Sequence, residues 1–341
     1  MAIVSGTVWT GAAGSNASTF NSNIREDLED TIWLLDPMDT WALSNLDRVK
    51  AENVFHEWLN DTLAAPATNI IREGDDGSFT TANAAKRVGN YCQISNKEFL
   101  VSGTMEVVQK AGRRSEIARL ATKLLKELKR DMENALVTNQ ASSSGGSATG
   151  RSSAGMESWI AGPSVTTAAG LTPANVIIAT TNATATTPGF SGGTVAAPTD
   201  GASTGVLTEI SLKSALAGSW SAGGNPRVIL AGTSQKTAID GFTGVATRFV
   251  DVAPKKQASI VGAANVYVSS FGDPHMVVLS RYVRSSVVLC IDPDYWATAF
   301  LRNPFVQTLA QTGDAQKRLI LAEYTLVCRN PSASSKVVAC T

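Results

Sequence analysis

Residues able to do chemistry are few and scattered in this 341-residue chain. His56 and His275 are its only histidines, so a Ser–His–Asp or Cys–His nucleophilic device must use one of them. His56 stands in the run VFHEWL beside Glu57, where a strand histidine paired to a carboxylate is the plainer reading. His275 follows Asp273-Pro274 in a turn and has no evident partner. No Gly-x-Ser-x-Gly elbow is present. Asp292 and Asp294 flank Pro293 in CIDPDYW. Paired carboxylates can do acid/base work, but this spacing suits a turn and a helix N-cap before Tyr295-Trp296. The stretch GGSATGRS at 145–152 has the spacing of a phosphate-binding loop with Arg151 in place of Lys. That loop needs a strand before it and a helix after it; here a helical pattern precedes and a Ser-rich stretch follows, which reads as a linker. EGDDG at 73–77 gathers carboxylates that hard cations favour, without the alternating ligands of a calcium loop, so a solvated turn is expected. No catalytic residue, cofactor site or metal site emerges from the sequence.

Composition narrows the function classes. Hydrophobic residues make up 43% of the chain, enough for a sizeable core, and charged residues only 17%. Lys plus Arg and Asp plus Glu both number 29, so the formal net charge is zero. Tight binding to nucleic acid through phosphates calls for a basic excess. Low net charge weakens repulsion between copies and suits assembly. Cys92, Cys290, Cys328 and Cys340 form no CxxC pair and no metal-ligand spacing, as expected in a reducing compartment. The opening residues lack the pattern of a signal peptide, and no apolar run is long enough for a membrane span, so a cytoplasmic protein is expected.

The element that must position everything else is SEIARLATKLLKELKRDMENALVT, 115–138. Ile117, Leu120, Ala121, Leu124, Leu128, Met132, Ala135 and Leu136 recur on one helical face, widened by Leu125. Arg119, Lys123, Lys126, Glu127, Lys129, Arg130 and Glu133 form the opposite face, and Ser115 can cap the first turn. At about 1.5 Å per residue this helix is roughly 36 Å long, a beam that needs a sheet along it. Glu116, Glu127, Asp131 and Glu133 interleave with the bases, which favours a solvated face with i,i+4 ion pairs over a phosphate stripe.

Around that helix the chain reads in order. Residues 1–22 are small and polar, an extended arm with little core of its own. A short amphipathic segment with Ile24, Leu28, Ile32 and Leu35 stops at Pro37, and Trp33 and Trp41 suggest an arm docked on something apolar. VFHEWL and YCQISNKEFLVSG read as two strands of one long hairpin with a polar tip between them. Such a hairpin buries too little to stand alone, and a neighbouring subunit is one surface it could lie on. NQASSSGGSATGRSSAG reads as a flexible linker. Residues 156–205 read as surface loops with short strands at 176–179 and near Phe190. From Leu207 a denser α/β region follows: a helix ending at Gly223-Gly224, the strand RVILAG, a helix at SQKTAIDGF, and the strands NVYVSSF, HMVVLS and SSVVLCI. RLILAEYTLVCRN and SKVVACT read as a terminal hairpin about Asn330-Pro331, laid along the long helix.

The runs HEWLNDTLAAPATN, EGDDGSF, RVGNYCQIS, SGTMEVVQKAGRRSE and KELKRDMENAL resemble the major capsid proteins of tailed bacteriophages with the HK97-like fold. The resemblance continues in GGNPRVILAG, GFTGVATRF, NVYVSSFG, DPDYWATAFLRNPF and TGDAQKRLILAEYTLVCRN and covers almost the whole chain in order.

It implies an α+β fold with an N-terminal arm at 1–52 and an extended E-loop hairpin at 53–104. A peripheral domain at 105–205 would carry the spine helix 115–138 and a Thr/Gly-rich insertion. An α/β axial domain would span 206–300, with 301–341 returning to the peripheral sheet. The implied function is mechanical: pentamers and hexamers tiling an icosahedral shell around double-stranded DNA, in the virion, after assembly in the host cytoplasm. Trp58, Arg72, Glu73, Asp75, Asp76, Phe79, Arg87, Arg113 and Arg114 are the candidate inter-subunit contacts. The expected partners are copies of the chain, a separate scaffold, a portal and decoration proteins, with packaged DNA not tightly bound, and no cofactor. An encapsulin-like compartment shell is the alternative, and a soluble α/β enzyme a more distant one.

Overall fold

A computed structural model describes residues 34–35, 39–61, 63, 66–68, 70–74, 76–77, 85–109, 114–160, 176–178, 194–198, 206–242, 265–269, 271–338 and 340. In chain order these form α1 (Trp41–Asn45), β1 (Asp47–Lys50), β2 (Phe55–Asn60), β3 (Lys86–Tyr91), β4 (Gln93–Ser102), α2 (Gly103–Val107) and α3 (Glu116–Val137). Next come α4 (Met156–Trp159), β5 (Val176–Ile178), α5 (Glu209–Ser221), β6 (Val228–Ala231) and α6 (Thr233–Asp240). The chain closes with β7 (Val266–Val268), β8 (Pro274–Leu279), β9 (Val288–Ile291), β10 (Trp296–Thr308), β11 (Ala315–Cys328) and β12 (Ser335–Val337). The expected segments before residue 34, the strand near Phe190 and most of GFTGVATRF lie outside the described residues.

The helix α3 forms where its period predicts, and Ser115 Oγ accepts the Ala118 amide at 3.3 Å as the N-cap. Its C-terminal half is the buried half. Leu128, Met132 and Leu136 pack with Trp159, Trp296, Tyr324 and Leu326 in the largest apolar cluster. The sheet it lies on has the order β1-β10-β11-β4. Along β11, Tyr324, Leu326 and Cys328 face α3, while Val327 joins Ala51, Cys92, Ala297 and Ala299 in a small-residue cluster on the other face. The period of two in a strand makes that division.

A second sheet has the order β5-β12-β9-β6-β8-β7. The helix α5 covers it, with Leu212, Ala215 and Leu216 packed on Ile229, Val288 and Cys290. Thr208 and Ser211 cap α5 reciprocally, and Gly223 (φ +92°) turns the chain out of it.

Several expectations fail for physical reasons. Of the run from Tyr91, only Tyr91 returns onto VFHEWL, opposite Phe55. β2 pairs with β3, with Trp58 opposite Val88, whereas β4 pairs with β11. The chain changes sheets at Cys92, whose amide bonds Val54 O at 2.8 Å. No terminal hairpin forms either: β11 pairs with β10, and at Asn330-Pro331 the chain crosses to place β12 between β5 and β9.

The Ser/Gly-rich stretch is not a free linker. Ser143 and Ser152 bridge, Ser153 and Ala154 are buried, and Arg151 reaches Cys92 O and Glu323. Nor are residues 156–160 surface loop; Met156, Trp159 and Ile160 are core. Small side chains there permit close backbone packing: a Cβ on Gly155 would overlap the Thr138 carbonyl. Part of the expected arm is also core, since Ala42, Leu43, Leu46 and Ala51 are buried and β1 runs parallel to β10.

Glu133 departs most from the expected solvated face. It is 0% exposed, and its carboxylate accepts the amides of Ala42 at 2.8 Å and Leu43 at 2.9 Å. Ion pairs on α3 include Arg119 with Glu116 and Lys123 with Glu127, and Asp131 pairs with Lys97 of β4.

Candidate assembly surface

The residues singled out as chemical candidates take structural roles. Asp292 caps a 3-10 turn at Pro293–Tyr295, accepting the Asp294 amide, and also accepts Asn225 N at 3.1 Å. His275 is not in a turn but buried in β8, with Nδ1 on the Pro226 carbonyl. Burial lowers the pKa of His56, which leans on Trp58, and Glu57 beside it pairs with Arg87 at 3.7 Å. The four cysteines are free and buried, and burial pushes each thiol up. Among the described residues no group of three or more His, Cys, Asp or Glu could hold a metal ion. Also among them, no helix is long and apolar enough to cross a membrane.

Buried charges serve cohesion. Glu323 lies between Arg151 (2.6 Å) and Arg302 (2.8 Å), tying the Ser/Gly-rich stretch and β10 to β11. Glu157 takes Arg284, while its carbonyl accepts Lys336 Nζ at 2.7 Å, tying α4 to β12. Each carboxylate is desolvated with its partner in place, the only economical way to bury one.

The β2–β3 hairpin is fixed at its root. Asn90 is fully buried; its Nδ2 donates to Leu326 O at 2.9 Å and Ser153 Oγ at 3.2 Å, and its Oδ1 accepts Ala154 N at 3.0 Å. Gly89 leaves room for the Phe55 ring, which a Cβ would meet at 2.6 Å. Trp58 stacks obliquely on Trp159 with ring centroids 5.5 Å apart. The structure thus seats Trp58 against its own chain.

Beyond that root the described large apolar residues are exposed. Leu63 is 99% exposed and Ile70 86%, and Leu59 and Ile71 are also exposed. Arg72, Glu73 and Asp76 follow, all exposed, around a turn at Gly74 (φ +83°). Arg87 and Arg114 are exposed as well. Asp75, Phe79 and Arg113 lie outside the described residues. Sequence reasoning chose the charged tip and missed Leu63, Ile70 and Ile71. The available signal was an apolar trio in a stretch too polar to supply a core. Contiguous exposed apolar area is what interaction surfaces present to water. A similar exposure continues at the far end of the first sheet, at Leu100, Phe305, Val306 and Leu309.

Comparison with known proteins shows the family to which the chain belongs. No curated protein matches the sequence. Among solved structures, the capsid asymmetric unit of cyanophage A-1(L) superposes with a TM-score of 0.64 at 15% identity, covering 93% of this chain and 97% of that one. The capsid of a native GTA particle gives 0.58 at 11% identity, covering 95% and 98%. Gordonia phage Cozz gives 0.55 at 14%, covering 98% and 97%. At these identities the likeness shows the fold, an α+β HK97-like capsid fold. The profile of the SU10 major capsid protein family matches residues 11–341, and the chain belongs to that family as a structural shell protein of a virion.

Proposed function

We propose that this capsid protein builds its shell from pentamers and hexamers on an icosahedral lattice around double-stranded DNA, with the β2–β3 hairpin acting as the E-loop that lies on an adjacent subunit. The observation that carries this reading is the hairpin itself. A root locked by Asn90 holds out a tip whose Leu63, Ile70 and Ile71 are left to water. A neighbouring subunit supplies the missing packing surface, and the charges at 72–76 pair across the contact. Individually weak contacts suffice, because each copy is held by several neighbours at once.

In the same reading α3 is the spine of a peripheral domain, the α5-covered sheet forms the axial domain, and residues before Trp41 form the arm. A separate scaffold, a portal and decoration proteins complete the head, which assembles in the host cytoplasm. The zero net charge suits a wall past which DNA must slide.

The test is expression of the chain alone and with its head proteins, followed by velocity sedimentation and negative-stain electron microscopy. Closed shells with pentameric and hexameric units are expected. Leu63→Ser/Ile70→Ser/Ile71→Ser should leave a folded subunit that no longer closes shells, and reversing Arg72, Asp75 and Asp76 should weaken closure. Normal shells from both variants would overturn the E-loop assignment. A chain that stays single with every head protein present would overturn the lattice.

A further inference from the structure

The second sheet ends in the β7–β8 edge, whose two faces differ in chemistry. Tyr267 and His275 point under α5 and are buried, whereas Val266, Pro274 and Met276 point the other way and are exposed. On that open face lies a trench of about 570 Å³, floored by Val266, Pro274, Met276 and Pro293. Arg227 stands on its rim, half exposed and paired to Asp294. On the α5 side of the same edge, the indole of Trp220 and the ring of Phe271 stack parallel, 3° apart, with centroids 5.6 Å apart. Trp220 is 56% exposed and Phe271 47%. Two large aromatic rings held flat against each other in water are an unusual use of apolar area. Trp is also among the side chains that most often dominate an interface.

We infer that the Trp220–Phe271 plank of one copy seats in the Met276–Pro274 trench of the next, joining these lobes head to tail into a closed ring. The chemistry is complementary. The thioether of Met276 favours an aromatic edge, and Arg227 at the rim can lie over a ring face. Because plank and trench lie on opposite faces of one strand pair, each copy offers a plank to one neighbour and a trench to the other. Such a heterologous contact closes into a ring when the rotation per copy divides the circle. This inference rests on the capsomer reading above and names the residues that hold the capsomer together.

The test places Phe271→Cys and Met276→Cys in one full-length chain, separately and together, in particles assembled with the head proteins. The four native thiols are buried, so mild oxidation reports only on the new ones. The double variant should give a ladder of covalent multimers on a non-reducing gel, and neither single variant should. Trp220→Ala should cut sedimenting particles tenfold or more while the free subunit keeps its circular dichroism. Normal particles without a ladder from the double variant would overturn this contact and leave the shell reading intact. A disulfide dimer from Phe271→Cys alone would also overturn it, because like would be meeting like. Failure of the unsubstituted chain to form any particle would instead strike the shell reading.

Discussion

Glu133 holds the segment before β1 onto α3, and its removal has a calculable consequence. The residue at the N-cap of α1, Thr40, makes no side-chain cap bond. The first amides of that helix are satisfied instead by a carboxylate from 90 residues away in the chain. Glu133→Ala would leave two buried N–H groups without an acceptor, at about 1–3 kcal/mol each. Relief of the carboxylate's desolvation offsets part of that, so a net loss of about 2–4 kcal/mol is expected. The loss falls on docking of residues 41–51 and leaves α3 in place. Hydrogen exchange read by mass spectrometry on peptides spanning 41–46 should therefore speed up roughly 30- to 700-fold, while peptides of β11 stay protected. Glu133→Gln keeps one acceptor oxygen and should fall between. There is also a pH signature. Burial raises the Glu133 pKa above its ordinary value, against the pull of the Ala42, Leu43 and Trp41 amides. The native state then binds the proton more tightly than the unfolded chain, so this group's contribution to stability declines as pH rises from about 4.5 through the folded pKa. The Gln variant should lose that slope. Unchanged exchange at 41–46 in Glu133→Ala would refute the capping argument.

Three further outcomes follow from single residues. Burial puts the thiol pKa of Cys92 and Cys340 at about 11 and of Cys290 at about 12, with Cys328 also well raised; a thiol reagent at pH 8 should find no reactive cysteine in the native protein and four in denaturant. Asn90→Ala strands Ala154 N and Leu326 O in the core and should lower stability to urea by about 2–4 kcal/mol, whereas exposed Asn45→Ala should change it by less than about 0.5 kcal/mol. Gly155→Ala forces a Cβ onto the Thr138 carbonyl and should cost about 3 kcal/mol or more in the same assay, since backbone must move.

What could be read from the sequence was what repeats locally. α3 showed itself because eight apolar residues keep a helical period behind a Ser cap, and β6 and β9 because each is a short unbroken apolar run, buried at every position. Sheet membership was another matter. β3 and β4 are separated only by Cys92, and β4 alternates half-buried and exposed positions over most of its length, as a hairpin strand would. Period two says that a strand has two faces; it does not say which strand lies beside it. The stretch 139–155 was misread because small polar residues score as flexible, although the same smallness lets Ser153 and Gly155 press against neighbouring backbone. Glu133 was misread by type. It sits three and four residues before the buried pair Leu136 and Val137, inside the stripe, and only its carboxylate argued for solvent.

The proposed assembly surface is half legible in the sequence for a related reason. Charge at 72–76 is what a polar loop displays in sequence. Yet exposed ion pairs contribute little, about 0–1 kcal/mol each, while burying a Leu or Ile side chain contributes about 1.5–3 kcal/mol. If Leu63, Ile70 and Ile71 are all covered by a neighbour, they outweigh every charge pair the tip could form. The charges then select the register of the contact and the apolar trio supplies its strength. This ordering predicts that the serine variants damage closure more than the charge reversals do, and that added salt weakens only what the reversals weaken.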